Sequence, residues 1–534
     1  MVLSPVVHAG LFDSLPGNIT KSVTDAVSGA VTGKNSEQPP QPIATQTGVS
    51  GSPEELLKQA LFGEFHVVYK GYSRRFLPVK QAVFQGQLEQ AVEFYESQGK
   101  VSLAPASADW TAAEPVQLNL AGDNGITLSD KGLKFLNLLE MGSLQLDSGS
   151  SKQAIKSLQD AQKIVEKRSR KSMLGGFTEK LAGAGISVLG FGEHTPYYGE
   201  GFEKVLMLNY QSLGYLLVGD RGAYNVSRRA MDWQRQEEQR FVENVSSVNK
   251  QLNQAGGSVD FSALSKNYEP YETRAKRYAS AFVNPFGWYV AGLVQEFDSY
   301  EDSSIWSNAR GAYQKALDLT PDNDFIQEVV KSMEKRNGPN RDQRLLHVVV
   351  SDGFAPEKKV LASEIRLANE VIPLELPIYK PVENPAAKVV LQDARGKLLA
   401  TLVEIADVES LALRYQKDTQ PMRHLTVALS VLRNTAQSQM ESRSAWGGAV
   451  SKMIKQFEIQ SPDTRSWMSL PSRLLAARVF IKPGADSVQL VSYDKQGKEL
   501  SRQKVQLKPG EHGFIYGRNI GSQLQAYRAE TLWI

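Results

Sequence analysis

The sequence predicts an α+β chain: an N-terminal α-helical domain of tetratricopeptide-like repeats, then a β-rich C-terminal domain, antiparallel and sandwich-like, with a helical insertion. Three observations carry this. From 53 to about 338, apolar residues recur every three or four positions, as in helices buried on one side. After Arg344 the texture changes to short β-rich runs broken by turns, with Pro483-Gly484 and Pro509-Gly510 recurring. Three helical segments also share an alanine, larger residue, alanine spacing that suits nested helix pairs.

In chain order, residues 1–9 read as the remnant of a signal peptide, with Val7-His8-Ala9 before Gly10 at the cleavage position. Residues 10–52 are a weak amphipathic segment and a Pro/Gln/Ser-rich flexible linker. Ser52 caps the first helix, with Pro53 at its first position and Glu55 at its third. The helical domain spans 53–340 and ends at Gly338-Pro339. The β-rich domain spans 341–534, with its helical insertion at about 419–458, where Leu425, Leu429 and Leu432 share a face.

The repeat signal lies in Ala154–Leu158–Ala161 with Gly142 upstream, in Ala223–Ser227–Ala230, and in Ala309–Tyr313–Ala316 closed by Pro321. A weaker version runs from Gly86 to Ala91 and Tyr95. Alanine suits such positions because two helices approach closely only where the contact residue has almost no side chain. Each pair leaves an apolar face uncovered, so pairs stack and offer a groove to a protein or peptide. In the stretch 196–220, Leu206, Leu213, Leu216 and Leu217 form a core stripe, and Glu203 stands in the first turn, where the helix dipole favours an acid.

Composition narrows the chemistry. The 61 basic and 58 acidic residues leave a net charge of +3, with no concentrated basic run that would call for nucleic acid. There is no cysteine, which removes disulfides, thiolate nucleophiles and thiolate metal sites. The six histidines are isolated, no G-x-S-x-G elbow or Walker pattern occurs, and no run of about 20 apolar residues could span a bilayer. No catalytic residue, metal or cofactor is expected.

The expected partner-binding residues are aromatic and arginine side chains, which dominate interface energetics. They are Tyr197, Tyr198, Arg228, Arg229 and Trp233 around the entry loop, and Arg465 and Trp467 as a second cluster. Trp467 also suits a plug sealing the β-rich domain.

Residues 196–234, "PYYGEGFEKVLMLNYQSLGYLLVGDRGAYNVSRRAMDWQ", resemble the signature of a family of bacterial exported tetratricopeptide-containing proteins, mostly lipoproteins, of unknown function. The matching positions are Pro196, Tyr197, Gly199, Glu203, Tyr215-Leu216, Gly219-Asp220 and Arg228-Arg229-Ala230. The segment 463–484, "DTRSWMSLPSRLLAARVFIKPG", is similar to a second family segment. The resemblance implies a non-enzymatic periplasmic scaffold, associated with the outer membrane. Its implied partners belong to cell-envelope assembly, such as a peptidoglycan-synthesis or outer-membrane complex. The lipobox cysteine usual in that family is missing here. Two alternatives are a component of a secretion or surface-appendage machine and a glycan-cleaving enzyme using Glu193, Glu200 or Glu203.

Overall fold

Three antiparallel helix pairs make up most of the N-terminal half: α4 (Lys134–Asp147) with α5 (Ser151–Leu174), α6 (Gly201–Leu217) with α7 (Gly222–Ala255), and α9 (Pro285–Glu301) with α10 (Trp306–Leu319). They are preceded by β1 (His66–Val68), α1 (Tyr72–Arg75), α2 (Leu77–Phe84) and α3 (Leu88–Glu96). The short α8 (Glu269–Ala275) precedes the third pair, and α11 (Asp324–Glu334) follows it. The computed structural model describes residues 64–101, 103, 128–174, 196–255, 265–335, 342–367, 370–420, 423, 462–530 and 532. The expected leader, the 10–52 segment, Glu193 and nearly all of the helical insertion lie outside these residues.

The small residues noted in the sequence are where helices touch, and so is Gly292, which was not singled out from sequence. A Cβ on Gly142 would lie 2.7 Å from Leu158, and one on Gly292 would lie 2.7 Å from the Tyr313 ring. Ala154, Ala161, Ala223, Ala230, Ala309 and Ala316 are all buried. Asn284 caps α9 by accepting the Gly287 N–H, with Pro285 in the first turn, and Asn323 caps α11 by accepting the Ile326 N–H. Helix α6 is apolar nearly all round because it is central: α5, α7 and α9 surround it, and its Tyr210 reaches the sheet.

The C-terminal half supplies β2 (Arg344–Asp352), β3 (Glu357–Leu367), β4 (Glu370–Lys380), β5 (Lys388–Asp393), β6 (Leu398–Thr401) and β7 (Val403–Asp407). Helix α12 (408–420) comes next. Then come β8 (Arg473–Ile481), β9 (Ser487–Tyr493), β10 (Glu499–Gln506), β11 (Gly513–Asn519) and β12 (Leu524–Arg528). Among the described residues these form sheets of order β1-β3-β4, β10-β9-β5-β6 and β12-β11-β2-β8-β7.

Two features differ from expectation. The pairing of β11 with β2 is parallel, so the five-stranded sheet is mixed rather than antiparallel. No hairpin links these strands; more than 150 residues of chain intervene, so nothing forces them antiparallel. The two halves also do not keep separate cores. Strand β1 from the helical half pairs with β3, His66 opposite Ala362, and one apolar cluster runs from Tyr72 and Leu206 to Val349 and Phe514.

Period-two alternation explains how. On β2, Leu346, Val348 and Val350 face a core shared with Val389, Leu391, Val488 and Leu490 of the four-stranded sheet. Leu345 and Val349 join the cluster that contains the helices, and His347 and Ser351 hydrogen-bond to helix side chains. The central sheet is therefore buried on both faces, which accounts for the near-continuous apolar run "LLHVVVS". The two Pro-Gly turns meet in space. The Gly510 N–H donates to Pro483 O at 3.0 Å, and the Arg344 guanidinium donates to the carbonyls of Ala485, Lys508 and Glu511.

Candidate functional site

The inner faces of α4, α6 and α9 do not line an open groove. They lie against β2, β8, β11 and the 463–471 loop, and the contact is a belt of buried charge. Its acids come mainly from the helices and its cations mainly from the sheets. One end is Glu296 of α9, fully buried, which receives Arg478 of β8 in a bidentate pair. Glu296 also accepts the Tyr313 hydroxyl at 2.9 Å and His347 Nε2 at 3.2 Å. Tyr289 O–H lies 3.2 Å from His347 Nδ1, so the ring donates through Nε2 and accepts through Nδ1. Burial alone would raise the Glu296 carboxyl; Arg478 and His347 outweigh it and hold it well below the carboxylate range. Burial keeps His347 neutral.

At the middle of the belt, Asp147 of α4 accepts the Tyr516 hydroxyl at 2.6 Å and pairs with Arg518 at 3.3 Å, both on β11. Tyr210 of α6 shares a 2.9 Å hydrogen bond with Ser351 of β2. Burial pushes Asp147 up to about 6 despite Arg518.

At the other end, two carboxylates hold three consecutive backbone amides of one loop. Glu203 accepts the Trp467 N–H at 2.8 Å, and Glu140 accepts those of Met468 at 2.6 Å and Ser469 at 3.0 Å. Glu203 also accepts the Tyr197 hydroxyl and the Glu200 N–H, fixing the start of α6. Lys358 of β3 donates to Glu200 and to the Arg465 carbonyl. Glu140 has no cation beside it among the described residues. Burial drives its carboxyl up to about 8, against the Ser469 and Met468 hydrogen bonds. Burial and the neighbouring Glu200 raise Glu203 as well.

Three of the seven expected contact residues are thereby relocated. Tyr197, Arg465 and Trp467 are each 1% exposed and cannot face a partner. Arg465 forms a two-point pair with its own Asp463 and stacks over the Tyr197 ring. The Trp467 indole N–H reaches Ser143 and Ser469, and its ring packs on Tyr210. The aromatic–arginine pattern here is an internal plug, because each charge and each indole donor finds its partner inside. Tyr198 is half-buried under the Arg168 guanidinium, Trp233 is half-buried, and Arg228 and Arg229 are exposed on α7. None of these four is fully buried, though Tyr198 adjoins the Glu203 end of the belt through Arg168, which donates to the Tyr197 carbonyl.

Glu200 and Glu203 are 0% and 1% exposed and face packed donors, not a cleft. Among the described residues, no three histidine or acidic side chains converge on a metal position, and no helix is long and apolar enough to cross a membrane. The hollow beside Arg344, Lys508 and Arg528 measures about 300 Å³ including its open mouth, a dent beside the joined turns. No family model matches the chain, and no curated protein or solved structure matches it at a significant level.

The belt residues Glu140, Asp147, Glu296, Lys358, Arg478 and Arg518 were not singled out from sequence. A signal exists for two of them. Glu140 and Glu296 sit on the apolar stripes of their helices, four residues after Leu136 and seven after Tyr289. An acid on a buried stripe is a charge awaiting a partner.

Proposed function

We propose that the protein is a non-enzymatic scaffold of the bacterial cell envelope, exported to the periplasm, that captures a protein or peptide partner. The helix pairs fit degenerate tetratricopeptide-like repeats, and the two packed sheets fit a sandwich-like arrangement. The observation that carries the reading is that the convergent acids of the interior are consumed in docking helices to sheet. Glu140, Glu203 and Glu296 hold amides, hydroxyls and guanidinium groups of the chain itself. Rigid docking of this kind suits a platform rather than a catalyst.

The groove that repeat proteins offer to a ligand is here filled by the chain's own sheet, so capture falls to the outer helix faces. Tyr198, Arg228, Arg229 and Trp233 are the side chains for it, since truncating a central aromatic or arginine typically costs about 1–4 kcal/mol of binding. The test is a photocrosslinker at position 229 in cells, with fractionation of the same sample and partner capture by Tyr198→Ala and Arg229→Ala. Loss of capture at an unchanged melting temperature is expected. Capture equal to wild type in both variants would remove this surface from the reading.

A further inference from the structure

The outer face of α5 carries a ridge of lysines. Lys152, Lys156, Lys163 and Lys167 are all exposed, and at 100° per residue they fall within an arc of about 60°. They run in single file for about 22 Å. On the opposite side the same helix buries Ala154, Leu158, Ala161 and Val165, which fixes the ridge outward. Lys156 and Lys167 have no carboxylate partner among the described residues. Lys163 touches Asp160 one turn away while remaining 73% exposed.

The ridge continues onto the β part. Lys152 reaches the Glu530 side chain at 3.2 Å, and Lys508 and Arg528 both donate to the Glu530 carbonyl. Lys508 and Arg528 thus adjoin the N-terminal end of the ridge, and the six cations stand against four acids: Asp160 and Glu166 on the flanks of the helix, Glu530, and Glu511, 3.9 Å from Lys508.

We propose that this ridge is an electrostatic docking surface for an anionic phospholipid bilayer. The reading goes beyond the scaffold assignment and does not rest on it. Shape selects the partner. The ridge stands on a convex helix, and a straight row of point charges on a convex surface meets a flat layer of headgroups along its whole length. Charge type agrees: lysines are hydrated, flexible ammonium groups suited to diffuse headgroup charge, whereas fixed recognition of a phosphate favours the arginine fork. The ridge itself offers no large exposed apolar side chain for insertion. Among the described residues the exposed large hydrophobics are Val67 and Leu398, neither on this helix. Attachment is therefore peripheral and salt-sensitive.

The experiment is co-sedimentation of the full chain with vesicles of phosphatidylcholine alone or with 30% phosphatidylglycerol, at two salt concentrations. Binding is expected to the anionic vesicles only and to fall steeply with salt. Each lysine near the surface is worth about fivefold in partitioning, so Lys156→Gln, Lys163→Gln and Lys167→Gln together should weaken it about a hundredfold. All three sites are exposed, so the melting temperature should not move. The control Arg310→Gln with Lys315→Gln, on α10, should bind as wild type. Equal binding to both vesicle types, or a triple variant binding as well as wild type, overturns the proposal. So does a chain that ignores both vesicles yet is retained by polyglutamate or duplex DNA, which would make the ridge a polyanion site.

Discussion

Glu296 shows what a single buried carboxylate does here. Its two oxygens serve Arg478, Tyr313, His347 and Tyr300, so four side chains, three of them from other elements and Tyr300 from its own helix, depend on one group. Replacing it with alanine takes the bidentate carboxylate away from Arg478, a charge only 6% exposed. The expected loss is about 3–5 kcal/mol, read as a shift in the urea midpoint. Glu140 makes the opposite prediction about pH. Its carboxyl holds a proton up to about 8 in the folded chain but loses it above about 4.5 once unfolded. Between those values the unfolded state binds fewer protons, so stability from this group is complete below pH 4.5 and drains away up to pH 8. The slope reaches at most about 1.4 kcal/mol per pH unit. Glu140→Gln should flatten the fall in melting temperature between pH 5 and 8. Glu296 and Asp463, both held below the ordinary carboxyl range, act with the other sign and erode stability only in strong acid. His347, held neutral by burial, works against Glu140 as pH falls below its ordinary value, so the Glu140 assignment is read from the difference between variant and wild type: identical pH profiles for both would contradict it.

At the level of elements, the sequence was most informative where geometry leaves little choice. Gly142 reads from sequence as a small contact position, and it lies against Leu158 of the partner helix; Gly292, which was not singled out, lies against Tyr313 in the same way. A pair of glycines separates packing from propensity. Gly292→Ala would place its methyl carbon 2.7 Å from the Tyr313 ring and should destabilise by about 1–3 kcal/mol. Gly311, on exposed α10 with nothing within 4 Å, should instead gain about 0.5–1 kcal/mol as alanine. Urea titration of the two variants should give shifts of opposite sign. Strand identity was also legible, through β-rich runs and turns. Strand pairing was not, because the β2–β11 register joins segments with no local link. The segment 463–471 misled for a physical reason. Arginine beside tryptophan suggests an interface, and only the fold reveals that Asp463 neutralises Arg465 and that Ser143 and Ser469 take the indole.

On the scale of the whole molecule, the helical half and the sheet half share one apolar cluster. The boundary at 340 is visible in composition, yet the apolar cluster ignores it, and acids from one side meet cations from the other. A fragment of residues 64–335 would expose those acids and the inner faces of α4, α6 and α9 together. Expressed alone, it should show no sharp thermal transition by circular dichroism, whereas the full chain should melt in one step. A cooperative melt of the fragment would show that the two halves fold independently. What the sequence could not reveal was what covers the inner faces of α4, α6 and α9. Amphipathic helices announce a face to be covered, and they do not say by what.

The strand pairing of His66–Val68 with Val360–Ala362 has a temporal implication. During synthesis strand β1 emerges nearly 300 residues before its neighbour. Glu140 likewise waits more than 320 residues for Met468 and Ser469. Such long-range closure is slow, so the nascent N-terminal region stays adhesive until the last quarter of the chain arrives, and a holding factor during translation would raise the yield of native protein.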